Sequence, residues 1–261
     1  MKGRARKREP ILCLTAVLAG LLAAGGSAQR LDLDGFQAQP EFYFVRLAYN
    51  SNPWLSGGWG AQWSSWTTDA PEAETHFLQG LSRLTRIHAA RDGRAIRLED
   101  EQLYDYPFLY AVEVGRWHLS DEEAALLREY LLRGGFLMVD DFHGTIEWEG
   151  FMQSMRKVFP DRPVVELPDT DEIFHVLYDL DQRTQIPNVW GAMTGRTWER
   201  DGYTPHWRGI YDDDGRLMVI INFNMDLGDA WEHADPPQYP EPLTALAYRF
   251  GVNYVLYAMT H

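Results

Sequence analysis

In "FLMVDDFHG", residues 136–144, two adjacent carboxylates and an imidazole, Asp140, Asp141 and His143, follow directly on an apolar run. A second group stands in "NMDLGDAWEHADPP": over one or two helical turns, Asp226, Asp229 and either Glu232 or His233 would share a face. Oxygen-rich sets with one imidazole suit a hard divalent cation such as calcium, magnesium or manganese, whereas zinc favours more nitrogen and sulfur. The metal candidates are therefore Asp140, Asp141, Asp226, Asp229 and Glu232, and the candidate general bases are His143 and His233. If the two motifs converge, a metal-bound water would serve as the nucleophile without any covalent enzyme group. If they do not, the first pair caps a turn and the second motif caps a loop.

A third group lies in "NPWLSGGWGAQWSSWTTDAPEAETHF", where Trp54, Trp59, Trp63 and Trp66 crowd a loop rich in glycine and serine. Exposed indoles stack on sugar rings and donate N–H to hydroxyls; alternatively they plug the loop onto the core. Asp69, ahead of Pro71, and His76, in the second turn of the next helix, join Trp59, Trp63, Trp66, Asp140, Asp141 and His143 as ligand-binding candidates. The Asp212–Gly215 "DDDG" lacks the alternating oxygens and distal glutamate of a calcium loop and reads as a hairpin turn. There is no Gly-x-Ser-x-Gly elbow and no phosphate-cradling glycine motif. The turn after "FLYAVEV", where many hydrolases carry a nucleophile, reads Gly115-Arg116-Trp117-His118.

Strands and helices must alternate to position these groups. "EFYFVRLAYN", "RAIRLE", "FLYAVEV", "FLMVDD" and "PVVEL" read as strands, and "PEAETHFLQGLSRLTRIHA" and "EWEGFMQSMRKVF" as helices. "LSDEEAALLREYLLRGG" is a helix with Ser120 as N-cap, Glu123 at the capping-box position and Gly134 as its stop. "RGIYDDDGRLMVIINFN" is a late β-hairpin, and the closing "PLTALAYRFGVNYVLYAMTH" is an apolar helix. Alternation of this kind predicts an α/β fold, a mostly parallel sheet with helices on both faces. Ligands in such folds bind beyond the carboxyl ends of the strands, where Asp140, Asp141 and His143 stand.

The start, "MKGRARKREPILCLTAVLAGLLAAGGSAQR", combines a basic stretch, a short apolar run and the small residues Gly26, Ser27 and Ala28. It reads as a signal peptide over residues 1–28, leaving a single domain at 29–261 that is exported to the periplasm or beyond and carries no integral membrane span. The one cysteine, Cys13, leaves with that segment, so the mature chain forms no disulfide and holds itself by its core. The formal net charge is −14, and removing the basic start makes it more negative. An acidic surface argues against nucleic acid as a partner and leaves a glycan or an extracytoplasmic protein.

"GWGAQWSSWTTDAPEAETHFL", "YPFLYAVEVG", "LREYLLRGGFLMVDDFHG", "NMDLGDAWE" and "GVNYVLYAMTH" together resemble the bacterial family catalogued as domain of unknown function 4159. That family is similar to class I glutamine-amidotransferase-like domains, which include the trehalose-utilisation type, so the resemblance implies a flavodoxin-like α/β fold. The thiol of true amidotransferases is missing at the Val114-Gly115-Arg116 turn, so glutamine hydrolysis by the usual route is not expected. Two functions remain open. The favoured one is a non-catalytic binding module for a glycan or protein partner; the alternative is a metal-assisted hydrolase using the Asp140/Asp141/His143 and Asp226/Asp229 clusters.

Overall fold

Two adjacent strands with no exposed residue form the middle of the sheet. β4 (Phe108–Val112) sends Phe108, Tyr110 and Val112 into one apolar cluster and Leu109 and Ala111 into another. β6 (Phe136–Asp140) divides in the same way, Phe136 and Met138 against Leu137 and Val139. Because successive side chains leave opposite faces of a strand, both faces need cover. α1 (Glu72–Leu84) and α6 (Glu241–Thr260) supply one layer through Phe77, Leu81, Phe250 and Tyr254. α2 (Asp121–Leu132) and α3 (Gly144–Val158) supply the other through Leu127, Leu131, Phe151 and Met155.

The protein is described here by a computed structural model covering residues 39–52 and 65–261, and Pro40–His261 form one compact unit. The signal-like residues 1–28 and Trp54, Trp59 and Trp63 lie outside the described residues. With β1 (Val45–Leu47), β3 (Arg94–Ile96) and β9 (Leu217–Phe223), the parallel strands run in the order β3-β1-β4-β6-β9. Numbered along the chain, that is 2-1-3-4-5, the flavodoxin-like order. β8 (His206–Tyr211) and β7 (Val165–Glu166) continue the sheet antiparallel, giving seven strands, and β2 (Asn50–Ser51) pairs separately with β5 (Trp117–His118). Among the described residues no helix is long and apolar enough to cross a membrane.

The hairpin turns at Asp212–Gly215 as expected, with Asp212 Oδ1 accepting from the amides of Asp214 and Arg216 and Gly215 at φ +86°. Its second strand, β9, is the one that joins the parallel sheet, beside β6. That choice brings the tail of β9 next to the tail of β6. Beyond the strands the two tails stay paired: the Asp141 amide donates to Met225 O at 3.1 Å and the Asn224 amide to Phe142 O at 3.1 Å. The α2 capping box forms as read from Ser120 and Glu123. α3, by contrast, begins at Gly144, three residues before the start expected from "EWEGF", which makes His143 its N-cap residue. Two short helices, α4 (Val189–Thr194) and α5 (Leu227–Glu232), flank the same end of the sheet.

Candidate metal centre at the strand ends

Asp141 follows the last residue of β6 with φ +51°, and Asp69 precedes α1 with φ +62°. Both occupy the left-handed region, which aspartate tolerates better than most residues because its short side chain bonds the local backbone. Asp226 enters from the β9 tail as the N-cap of α5, its Oδ1 accepting the Asp229 amide at 2.8 Å. These three residues, from three separate chain segments, each present a carboxylate oxygen within 4.8 Å of the others. The two sequence motifs therefore converge, and Asp69 completes the set.

Asp140 plays a different part. Its Oδ2 accepts the amides of Leu227 at 2.8 Å and Gly228 at 3.0 Å and the Tyr110 hydroxyl at 3.3 Å. It thus caps α5 from the neighbouring strand rather than the turn that follows it, although its Oδ1 has no partner among the described residues. A second group shares Asp141: the His143 Nε2 stands 3.2 Å from Asp141 Oδ1 and 3.8 Å from Glu199 Oε1. His143 is fixed from behind, since its amide donates to Glu147 Oε2 at 2.7 Å. Glu147 in turn meets Arg200 at 2.6 Å and Arg116 at 3.4 Å.

Asp229, Glu232 and His233 form a third group. The His233 Nε2 lies 3.1 Å from Asp229 Oδ1 and 3.5 Å from Glu232, while Asp229 Oδ2 accepts the Val189 amide. His76 does not join the acidic centre. Its Nδ1 is 3.0 Å from the carbonyl oxygens of Trp231 and Glu232, and the ring faces a separate hollow of about 670 Å³ shared with Tyr239 and Tyr248. Trp66 is half-buried and packs against the core, so of the two readings of the tryptophan loop it follows the plug.

Burial dominates the electrostatics. It raises the carboxyl groups of Asp69, Asp141 and Asp226 well above the usual aspartate range, and each is raised further by its acidic neighbours. Asp140 is pushed up to about 7 by burial, with the Gly228 and Leu227 amides acting in the opposite direction. Burial also lowers His143, against the pull of Glu199 and Glu147, and so favours the neutral imidazole. A cluster of carboxyls buried at Asp141 and Asp226 and half-buried at Asp69 favours whatever supplies positive charge at its centre.

Sequence reading missed Glu113, Glu147 and Glu199. Glu113, not the Gly115–His118 stretch, is the elbow after β4: it sits at φ +55°, 3.0 Å from Arg116, and burial pushes its carboxyl up to about 9. The signal for it was a lone acid ending an apolar strand at the switch point of the sheet. The described residues 44–52 and 65–259 carry the strand order, elbow and strand-end acids just described, and the family described as "Domain of unknown function (DUF4159)" matches the chain over residues 44–259. The chain belongs to that family. No curated protein matches it.

In this DUF4159 member, Gly228 gives the acidic centre its room. A Cβ there would stand 2.4 Å from Asp69 Oδ2 and 2.7 Å from the Tyr110 hydroxyl oxygen, both too close for a real side chain. Asp69 Oδ2 has no hydrogen-bond partner among the described residues, whereas the Tyr110 hydroxyl is held by Asp140. Gly228→Ala is therefore expected to displace the Asp69 carboxylate while the protein still melts cooperatively, and a cation held by these three carboxylates would then bind at least tenfold more weakly. Unchanged affinity would remove Asp69 from the ligand set.

Proposed function

We propose that this protein is a metal-assisted hydrolase that holds a divalent cation between Asp69, Asp141 and Asp226 and works outside the cytoplasm. The convergence of those three carboxylates at the strand ends carries the reading. Their all-oxygen character suits magnesium, manganese or calcium, and three protein ligands leave positions for water and substrate. The cation would lower the pKa of a bound water and polarise the bond under attack. His143, 3.2 Å from Asp141 and neutral, is the base placed to take the proton. Glu147 fixes the His143 backbone by accepting its amide, and Glu199 stands 3.8 Å from the same ring nitrogen, Nε2.

The reading supplies what the chain otherwise lacks, since no thiol and no serine elbow stands at the turn after β4. It is favoured over a purely recognising module because a binding surface has no need of several mutually repelling buried carboxylates. The signal-like start supports export. Titration of the metal-stripped full chain with Mn²⁺ at pH 8, followed by electron paramagnetic resonance, tests the site directly. At least one bound ion per chain is expected, lost in Asp141→Asn and in Asp226→Asn. Free Mn²⁺ only, at concentrations up to about a millimolar, would end the proposal.

A further inference from the structure

α4 and the segment after it build a hollow of about 320 Å³ that includes Glu199, the residue facing His143, and lies within the size range of small-ligand sites, about 300–1,000 Å³. Asn188, Trp190, Arg196, Trp198, Glu199 and Arg200 line it. Trp190 is 71% exposed, and Tyr203, whose ring lies 5.8 Å from that of Trp198, is 66% exposed. Exposed aromatic rings beside a hollow are suited to stack against a ligand ring.

The hollow is constructed rather than incidental. Gly195, at φ +75°, reverses the chain after α4, and Gly191 lets it return close by: a Cβ on Gly191 would stand 2.7 Å from Arg196 O and from Pro187 Cβ. The Asn188 side chain accepts the Gly191 amide at 2.7 Å and donates to Glu199, the residue that faces His143. Buried Gln185 ties the segment to the β9 tail, donating to Gly202 O and Asn224 O at 2.9 Å each and accepting from the Thr197 hydroxyl at 2.9 Å. The rim is thus anchored to the same strand ends that carry Asp141 and Asp226.

Its chemistry is mixed. Flat indole faces suit the apolar face of a pyranose ring, and the Thr194 and Thr197 hydroxyl oxygens, whose protons go to Trp190 O and Gln185 Oε1, remain acceptors for its hydroxyls. Arg196, whose guanidinium lies 5.6 Å from the Trp198 ring centre, has no ion-pair partner among the described residues, whereas Arg200 is paired with Glu147, and Glu199 adds an acid to the lining. A guanidinium free of an ion pair, such as that of Arg196, complements a carboxylate. We propose that this hollow is the subsite for an acidic sugar residue of an oligosaccharide, held with its reacting end towards Glu199 and the Asp141 centre. The direction of that end rests on the hydrolase reading; the binding does not.

Fluorescence titration of the full chain with trigalacturonate, in chelator, tests the subsite without engaging any cation. Saturable quenching is expected, with the dissociation constant raised at least tenfold in Trp190→Ala and in Arg196→Ala. Both substituted side chains are exposed, so melting temperatures close to wild type are expected to confirm folding. A neutral trisaccharide, cellotriose, should bind at least tenfold more weakly. Absence of quenching, equal binding of the neutral sugar, or indifference to Trp190→Ala would each overturn the proposal. Sugar binding in a chain that takes up no Mn²⁺ would retain the subsite and dismiss the hydrolase; Mn²⁺ uptake without sugar binding would do the reverse.

Discussion

In chelator, the wild-type protein should lose stability steadily as the pH rises from about 4 to 9, and a saturating divalent cation should restore it. The sign follows from the direction of the shifts. Burial raises Asp140 to about 7 and Glu113 to about 9, and raises Asp69, Asp141 and Asp226 well above the ordinary carboxylate range. Groups raised on folding stabilise the native state fully only below their unfolded pKa, and that contribution disappears as the pH climbs to the folded value. Between pH about 4 and 7 for Asp140, and up to about 9 for Glu113, the native chain holds protons that the unfolded chain has released. Each such group removes about 1.4 kcal/mol per pH unit across its window.

A cation at the centre reverses the trend, because ligand carboxylates must be ionised to bind it and its affinity therefore grows with pH. At a hundred times its dissociation constant it would add about 2.7 kcal/mol, or roughly 5–10 °C in melting temperature for a chain of this size. Asp141→Asn should melt above the metal-stripped wild type at pH 8, since it deletes one of the repelling charges, and should ignore added Mn²⁺. Thermal melts at pH 5 and pH 8, with chelator and with Mn²⁺, supply the comparison. A wild-type melting temperature that is level between the two pH values and unmoved by the ion would contradict both the electrostatics and the site.

Much of this arrangement is legible in the sequence because it depends on local pattern. Continuous apolar runs ending in Asp140 and Val112 are strands buried on both faces, and Ser120 with Glu123 marks a helix start that forms as expected. Asp69, Asp140, Asp141, His143 and Asp226 were all recognisable as chemistry-bearing residues at element ends. What local pattern cannot carry is pairing over distance. Either strand of the late hairpin satisfies its own apolar pattern against the sheet, yet only with β9 inside does Asp226 arrive beside Asp141. Nor does residue type separate Asp140 from Asp141. One is spent on α5 and the other turns to the centre because the backbone changes to positive φ between them. Glu199 lies in a stretch without periodicity and reaches His143 only because Asn188 and Asp201 hold its loop, the latter by accepting from the Thr145 amide and hydroxyl.

The largest single loss of stability should come from Arg46→Met. Arg46 stands within the apolar run "FVRLAY", and its side chain is only 2% exposed. Its Nε donates to Glu74 on α1, and its Nη1 donates to Trp66 O at 3.0 Å and Thr68 O at 2.7 Å, the segment that leads into Asp69. The guanidinium also lies 5.1 Å from the centre of the Tyr110 ring, whose hydroxyl donates to Asp140. Removing it leaves Glu74 as a buried charge with no cation and two loop carbonyls without their donor. Loss of one partner from a buried ion pair costs about 3–5 kcal/mol, which lowers the melting temperature by roughly 10 °C or more. Arg46→Met/Glu74→Leu removes both charges and should recover most of that loss, because a buried pair replaced by apolar groups is often neutral. It should not recover Mn²⁺ binding, since the Trp66 and Thr68 carbonyls ahead of Asp69 then lack the guanidinium that holds them. Urea midpoints together with Mn²⁺ titration separate the two effects. A double variant that binds Mn²⁺ like wild type would show that Arg46 serves the core alone, whereas stable but metal-blind protein would place it behind the site as the residue that positions Asp69.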